Sequence, residues 1–363
     1  MTLRGWKRWF RVQALPGWIF PEIPRPVRSH YPLGPGGLWR LGAWLFPPDY
    51  LRVRNFAGAL FGADLLVLAG CGLINDEFPS VAIRVLNIFA AAIRCGIPTV
   101  MLGQGFGPIR GELLARKAAE VLPRVGAIYL REQRSSLSLL RKLGVPEEKI
   151  VVTGDDAIEM SFRKTNSTPG TRIGVNLRVA GYSGITGGTV ESVRAVIVEK
   201  TRQYQTGATG IPIMLDGVDS DVQIIGQLLG KGTAGGDGPE GAPTLPEVIR
   251  RVGECRVVVT GSYHAGVFAL AQGILVVGIA RSEYYRDKLE GLADQFGARC
   301  PVILADDGQF AGKLGAAIDR AWSEAETVRP QLLRAAESQV RASRAAYEKL
   351  PALIAPPAGG ISG

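Results

Sequence analysis

One segment, residues 256–278, constrains the fold more than any other part of the chain. Val257–Thr260 is a β-branched run typical of a buried strand, Gly261 interrupts it, and an alanine-rich apolar stretch then runs to Gly273. A second apolar run follows directly. Two buried strands joined by a helix predict a unit of a parallel sheet. Ligands of such sheets bind beyond the carboxyl ends of the strands.

His264 stands in the first turn of that predicted helix, and the 363-residue chain has only two histidines. A helix N-terminus offers free N–H groups and the positive end of the helix dipole, and both suit an anion. Imidazole also has the side-chain pKa nearest neutrality. Two interpretations are open: His264 transfers protons beside a bound anion, or it is a packing histidine that caps a strand.

Strand and helix signals alternate along most of the chain. The predicted strands are 64–70, 97–103, 127–130, 149–153, 173–178, 211–215 and 257–260 with its partner after Gly273. The predicted helices are 81–94, 111–122, 132–143, 190–204, 219–229, 245–253 and 310–350, the last with a break at Pro330. This repetition predicts an α/β chain of two doubly wound, Rossmann-like domains facing a cleft, with a helical C-terminus. A polar linker at 163–172 separates the domains, and the glycine-rich loop 230–243 is expected to be flexible.

The N-terminal region carries most of the net positive charge. The chain has a net charge of +9, and residues 1–60 contribute +7 of it together with five of the six tryptophans. Interleaved Arg and Trp suit an anionic lipid surface. The alternative is a proline-rich arm whose aromatics pack on the body of the protein. We do not expect nucleic acid as a partner, because the rest of the chain is nearly neutral and lacks a recognisable binding motif.

Composition and cysteine usage favour a cytoplasmic globular protein. The hydrophobic fraction is 46% and the charged fraction 21%, enough for a large core. No uncharged apolar run approaches the ~18 residues of a membrane span, and the N-terminus lacks a signal-peptide pattern. The four cysteines are scattered without a CxxC pair, which fits free thiols in a reducing compartment. With two histidines, a zinc site is not expected.

Glycines and charged side chains follow several predicted strands. Gly70-Cys-Gly72 follows the first strand and Gly103–Pro108 the second, and neither matches a P-loop or a complete dinucleotide fingerprint. The other residues at strand ends are Gln104, Arg131, Glu132, Asp155, Asp156 and Arg178. Carboxyl ends of parallel strands share one edge of a sheet, so these groups are expected to face the cleft. For each of them, a tight turn or a structural salt bridge is the alternative to ligand contact.

In this order, the pieces resemble the polysaccharide pyruvyl transferase family over roughly residues 58–300. The matching pieces are Asp64–Gly72 with Asn75-Asp76, Gly103–Ile109, Arg131-Glu132, Ser135, Leu140–Val145, Asp155 or Asp156, Gly174–Arg178, the His264 motif with its helix to Gly273, Lys288 and Gly291. The resemblance implies a fold similar to GT-B glycosyltransferases. It also implies transfer of a pyruvate group from phosphoenolpyruvate onto two hydroxyls of a sugar, which gives a cyclic ketal and phosphate without a cofactor or metal.

The resemblance also assigns the expected roles. The acceptor is a sugar of a polysaccharide or a lipid-linked glycan of the cell envelope, so the protein would work in the cytoplasm, at the inner face of the membrane. The expected organisation is the arm (1–55), an acceptor-side domain (56–168), a donor-side domain (169–325) and a C-terminal helix and tail (326–363). His264 is the expected acid–base group. Expected donor contacts are Arg178, Lys288, Arg281, Ser262 and Tyr263, and expected acceptor or cleft residues are Gly70, Gly72, Gln104, Arg131, Glu132, Asp155 and Asp156.

Two departures from the family pattern keep other functions open. Many members carry Arg two places before the histidine, where this chain has Ser262; Arg281, Arg178 and Arg131 are the candidates to replace it. The glycine-rich strand–turn expected near the N-terminus is not recognisable, and the basic arm occupies that region. The alternative functions are a sugar-nucleotide glycosyltransferase of the GT-B type and an inactive family member that acts as a binding subunit.

Overall fold

The protein is an α/β chain with two parallel sheets. The computed structural model describes residues 56–179, 185, 187–215, 220–230, 243–297 and 299–354. The arm (1–55) and most of the glycine-rich loop lie outside the described residues. The roles expected for them therefore stay predictions.

The first sheet has four parallel strands, each paired with the next along the chain. They are β1 (Leu66–Ala69), β2 (Thr99–Gln104), β3 (Ala127–Leu130) and β4 (Ile150–Val152). The helices that follow them are α1 (Pro79–Arg94), α2 (Glu112–Val121), α3 (Ser136–Lys142) and α4 (Ile158–Phe162). Helices α1, α2 and α3 cover one face of this sheet with a continuous apolar core.

The second sheet has five described parallel strands and a reversal of strand order. Its elements are β5 (Arg172–Asn176), α5 (Gly187–Gln203), β6 (Ala208–Gly210), α6 (Asp221–Leu229), α7 (Leu245–Gly253), β7 (Cys255–Thr260), α8 (Tyr263–Ala271), β8 (Leu275–Ala280), α9 (Glu283–Gln295) and β9 (Val302–Leu304). The strand order is β6-β5-β7-β8-β9. All six residues of β8 are buried, as expected for a strand with both faces covered. The reversal between β5 and β7 is where such sheets form ligand crevices.

A long C-terminal helix connects the two sheets. Helix α10 (Phe310–Glu348) begins against the second sheet, and a short helix α11 (Leu350–Ile354) follows it. Ala346 and Leu350 pack on the free face of the first sheet. Because α10 is continuous from Phe310, the expected boundary at 325/326 falls inside one helix. The structure also places α4 in the core of the second sheet through Ile158.

Three sequence-based expectations about these elements are wrong. The strand expected at 211–215 lies earlier, at Ala208–Gly210, because side chains satisfy the backbone of the later residues: the Asp221 carboxylate accepts from the N–H groups of Ile213 and Met214, each at 2.9 Å. Helix α3 begins at Ser136 and not at 132, and Glu132 lies before it, where its carboxylate accepts from the Ser135 N–H at 3.1 Å.

The third concerns Pro330, which lies inside α10 without breaking it. A proline removes one helical hydrogen bond, but packing on both sides of it holds the helix together. The neighbouring Arg329 donates hydrogen bonds to the carbonyls of Gln272 at 2.8 Å and Asn166 at 2.6 Å. Within the described ranges, no helix has the length and apolarity needed to cross a membrane.

Candidate functional site

The strand–helix turn at His264 has the geometry expected from the sequence. Strand β7 ends at Thr260, whose hydroxyl accepts from the Ser262 N–H at 2.8 Å, and α8 begins at Tyr263. This turn leaves the first N–H groups of α8 at the carboxyl end of the second sheet. His264 is partly buried there, with its ring 5.6 Å from that of Tyr263 in an edge-to-face arrangement.

Arg131 reaches this turn from the first domain. It follows β3, is only 3% exposed, and its guanidinium carbon lies 4.3 Å from the centroid of the Tyr263 ring. Its Nη1 lies 3.6 Å from Oδ2 of Asp155, the residue that follows β4 at the same sheet edge. Its buried Nε has no hydrogen-bond partner among the described residues. The carboxyl ends of the two sheets therefore face each other at Arg131 and Tyr263.

A second cation, Lys288, enters the same cleft from α9. Its Nζ lies 4.2 Å from the centroid of the Tyr284 ring, one helical turn earlier, and 5.6 Å from that of Tyr285. The Tyr284 hydroxyl donates to the Gly72 carbonyl of the first domain at 3.3 Å. This contact fixes the position of Lys288 relative to the first sheet.

Two glycines make room for the arginine. A Cβ at Gly105 would lie 2.8 Å from Nε of Arg131, and one at Gly72 would overlap its Nη2 and lie 3.6 Å from Cε of Lys288. Within the first domain, these glycines let the Arg131 guanidinium lie against the backbone at the ends of β1 and β2. Gln104, the neighbour of Gly105, donates to the carbonyls of Leu68 at 3.1 Å and Leu102 at 2.7 Å and so holds the end of β2 in place.

Burial and the two cations shift the titration of the groups in the cleft. Burial, and secondarily the charge of Arg131, lowers the pKa of Lys288 to about 7. Burial also lowers the pKa of His264; Asp155 opposes this shift, while Arg131 and Lys288 add to it. The imidazole is therefore neutral at neutral pH. Arg131 and the protonated form of Lys288 supply positive charge to the cleft, which favours an anionic ligand.

Three other residues expected in the cleft, Gly70, Glu132 and Asp156, contact other parts of the protein. Asp156 lies behind Gly103, where a Cβ would be 2.6 Å from its Oδ2, and it also faces Gly70. Its Oδ1 accepts from the Ser343 hydroxyl of α10 at 3.4 Å. Glu132 is buried, accepts from the hydroxyls of Ser135 and Ser136, and contacts Gly291 of α9.

The two expected donor-binding arginines differ in position: the backbone of Arg178 adjoins Gly261 at the start of the His264 turn, whereas Arg281 lies at the surface. Nη1 of Arg178 lies 3.2 Å from the buried carboxylate of Asp221, within the second domain. Arg281 is exposed and lines an open surface pocket of ≈ 410 Å³ with Asp306 and Asp307, at the N-terminal ends of α5 and α10. The structure thus brings together Arg131, Asp155, Tyr263, His264 and Lys288, while the roles proposed for Arg178 and Arg281 stay predictions.

Sequence reasoning missed two side chains of the cleft. Tyr284 was not singled out, although its spacing of four residues from Lys288 places both on one face of a helix. Cys71 lies between Gly70 and Gly72, and its thiol donates to Oε1 of Gln104 at 3.1 Å. Burial raises the pKa of this thiol. No group of three or more His, Cys, Asp or Glu side chains that could hold a metal ion occurs in the described part of the chain.

Comparisons with known proteins agree with this architecture. A family model described as polysaccharide pyruvyl transferase matches residues 8–283. No curated protein sequence matches the chain. Among solved structures, the UDP-GlcNAc 2-epimerase from Neisseria meningitidis bound to UDP-GlcNAc is 14% identical, with a TM-score of 0.53 over 83% of this chain and 81% of that one. A putative UDP-N-acetylglucosamine 2-epimerase from Listeria monocytogenes is 13% identical, with a TM-score of 0.54 over 82% of this chain and 76% of that one. These likenesses show a GT-B-like fold.

Proposed function

This chain belongs to the polysaccharide pyruvyl transferase family, and we propose that it transfers a pyruvate group from phosphoenolpyruvate onto two hydroxyls of a sugar. The product is a cyclic ketal on a polysaccharide or lipid-linked glycan, and phosphate is released. The observation that carries the proposal is the meeting of the buried Arg131 of the first domain with the half-buried Lys288 and His264 of the second domain in one cleft. A transferase that joins a charged donor to a neutral sugar needs both features in one place.

The charge of the cleft suits this donor. Phosphoenolpyruvate carries a carboxylate and a phosphate within a few bonds of each other. A planar guanidinium binds a carboxylate or phosphate through two parallel hydrogen bonds, and the buried Nε of Arg131 has none among the described residues. The first turn of α8 adds N–H groups for the phosphate. Arg131, supplied by the first domain, takes the part that the family arginine would play at the position of Ser262.

His264 is placed to move protons beside this donor. Its neutral imidazole accepts the proton of an attacking sugar hydroxyl, because burial keeps the ring uncharged at neutral pH. Oxygen attack on C2 of the donor then needs no redox step. Asp155 lies near enough to influence the titration of the ring, and it stabilises the imidazolium that forms.

The acceptor enters from the side of the first domain. Gly70, Gly72 and Gln104 lie at the ends of β1 and β2, and Gly72 lies against both Arg131 and Lys288. The acceptor in this family is often built on a lipid carrier, so the basic, tryptophan-rich residues 1–55 have a use at an anionic membrane surface. We therefore propose a cytoplasmic enzyme that contacts the inner face of the cell membrane.

A direct assay separates this activity from the alternatives. Purified chain is incubated with phosphoenolpyruvate and with glycan extracted from cells that lack the protein. Phosphate release and the mass of one pyruvate ketal on the glycan are then measured. In a parallel reaction, UDP-sugars are added in place of phosphoenolpyruvate. Ketal formation only with phosphoenolpyruvate supports the proposal; sugar transfer from a UDP-sugar would assign a glycosyltransferase, and phosphoenolpyruvate binding without turnover would assign a binding subunit.

A further inference from the structure

We propose that Lys288 is a second catalytic residue of the proposed transfer: its ammonium group protonates the methylene carbon of phosphoenolpyruvate, while His264 handles the sugar hydroxyl. This inference rests on the proposed function. It differs from the role of a fixed donor-binding cation that the sequence suggests for this lysine. In this arrangement, Arg131 holds the donor and Lys288 reacts with it.

The contacts of Lys288 differ from those of a structural lysine. Its Nζ packs on the Tyr284 ring at 4.2 Å, and its Cε faces Gly72 of the first domain. Among the described residues it has no carboxylate salt bridge, whereas Arg131 pairs with Asp155 at 3.6 Å. A lysine that only stabilised the interface would gain from such a partner. This one is left with its ammonium group available in the cleft.

Charged and titratable groups of both domains surround Lys288 among the described residues. Tyr284 and Tyr285 lie on its own helix. Arg131, Asp155 and Cys71 face it from the first domain, and His264 faces it from α8. Burial and Arg131 lower its pKa to about 7, while Cys71 and Asp155 act in the opposite direction. Proton transfer is most efficient for a group with a pKa near the working pH.

The two groups together balance every proton of the reaction. The π electrons of the donor double bond take a proton from Lys288, forming the methyl C–H bond, while the first sugar oxygen bonds to C2 and gives its proton to His264. The C2–O bond to phosphate then breaks, and the phosphate leaves with the electron pair and the His264 proton. The second sugar hydroxyl bonds to C2 and returns its proton to the neutral Lys288 amine. Both residues regain their starting states.

The test compares two substitutions that separate charge from acidity. Lys288→Arg keeps a permanent cation that is a poor proton donor at neutral pH, and Lys288→Met removes both properties. Phosphoenolpyruvate affinity is measured by calorimetry, and turnover by phosphate release with the extracted glycan. The exposed Lys142→Met serves as the matched control. Thermal unfolding of each variant establishes that it is folded.

We expect Lys288→Arg to bind phosphoenolpyruvate about as tightly as the native chain, with turnover reduced by about 10²-fold or more. Lys288→Met should lose affinity for phosphoenolpyruvate in addition to turnover. The alkaline limb of the native kcat/KM profile, near the pKa of Lys288, should also disappear in Lys288→Arg. Native-like turnover of folded Lys288→Arg would overturn the catalytic role and leave the proposed function intact. A native chain that neither binds phosphoenolpyruvate nor turns it over would overturn the proposed function itself.

Discussion

At the scale of single residues, the main finding is a contact that joins two domains. Arg131 and His264 are separated by more than 130 positions in the sequence, yet the Arg131 guanidinium lies 4.3 Å from the ring of Tyr263, the neighbour of His264. Each residue was predicted separately from its place at a strand end. The sequence named Arg131 among the candidates to replace the family arginine beside His264, but it could not predict the contact with Tyr263, because that contact depends on how the two sheets face each other. Arg178, also at a strand end, is paired with Asp221 inside one domain, and the sequence did not predict this pair.

The role of His264 predicts a specific loss. His264→Ala and His264→Asn should reduce turnover by roughly 10²–10⁴-fold, since neither side chain can accept the sugar proton. The midpoint of thermal unfolding should change little, because the ring is only partly buried. Phosphate release and differential scanning fluorimetry measure the two effects. A variant with native specific activity and a much lower midpoint would show that His264 is a packing residue.

The raised pKa of Asp156 predicts that replacing this residue stabilises the protein at neutral pH but not at acidic pH. Burial, and secondarily Asp155, raises the pKa of this carboxyl to about 6 from 3.8, so the folded chain keeps a proton that the unfolded chain has released between these values. Its contribution to stability therefore falls as pH rises through this window and stays low above it. Asp156→Asn should raise the free energy of unfolding at pH 7.5 by about 1–3 kcal/mol and give no gain at pH 4.

Denaturant unfolding at the two pH values measures this effect. The exposed Asp306→Asn is the control and should change neither value. An Asp156→Asn variant that is less stable than the native chain at pH 7.5 would mean that the hydrogen bonds from Ser343 and Tyr347 outweigh the cost of the buried charge.

At the scale of secondary structure, the buried strands were the most predictable elements. Strands β3 and β7 appear where β-branched or apolar runs end in glycine or a charged residue, because burial on both faces leaves a continuous apolar signature. The errors arise where side chains replace backbone pairing, as Asp221 does beside β6. Helix α9 was not predicted, although Tyr284, Tyr285, Leu289 and Leu292 form a buried stripe on it.

The C-terminal helices predict a long-range effect on the first domain. Leu350 is fully buried against Val100, Leu102 and Tyr129 of the first sheet. Leu350→Ala should destabilise the protein by about 2–5 kcal/mol, the usual cost of a cavity in a core. Hydrogen exchange should quicken in β2 and β3. The control is Leu113→Ala, at a site 62% exposed, which should change the free energy of unfolding by no more than about 0.5 kcal/mol. Equal losses of stability in the two variants would contradict this account.

At the scale of the whole molecule, charge distribution predicts membrane contact through residues 1–55, which lie outside the described residues. Residues 1–60 hold a net charge of +7, and each basic group near an anionic bilayer contributes about 1 kcal/mol. We expect the full chain to sediment with phosphatidylserine-containing vesicles at low salt and to be released by salt. Replacing Lys7, Arg8 and Arg11 by Gln should weaken binding. A full chain that stays in the supernatant at low salt would exclude this contact and favour an arm that packs on the protein.

The proposed function requires that the two domains form the donor site jointly, and one measurement tests this requirement most directly. Phosphoenolpyruvate is titrated calorimetrically into the full native chain and into Arg131→Met, whose side chain comes from the first domain, with UDP-GlcNAc as a second ligand. Loss of a cationic contact to the donor is expected to weaken binding by at least tenfold, since an ion pair at ~4 Å is worth roughly 4 kcal/mol at an effective dielectric near 20. We predict that phosphoenolpyruvate binds the native chain saturably. Folded Arg131→Met should bind it at least tenfold more weakly. Binding of UDP-GlcNAc with no heat from phosphoenolpyruvate would contradict the account.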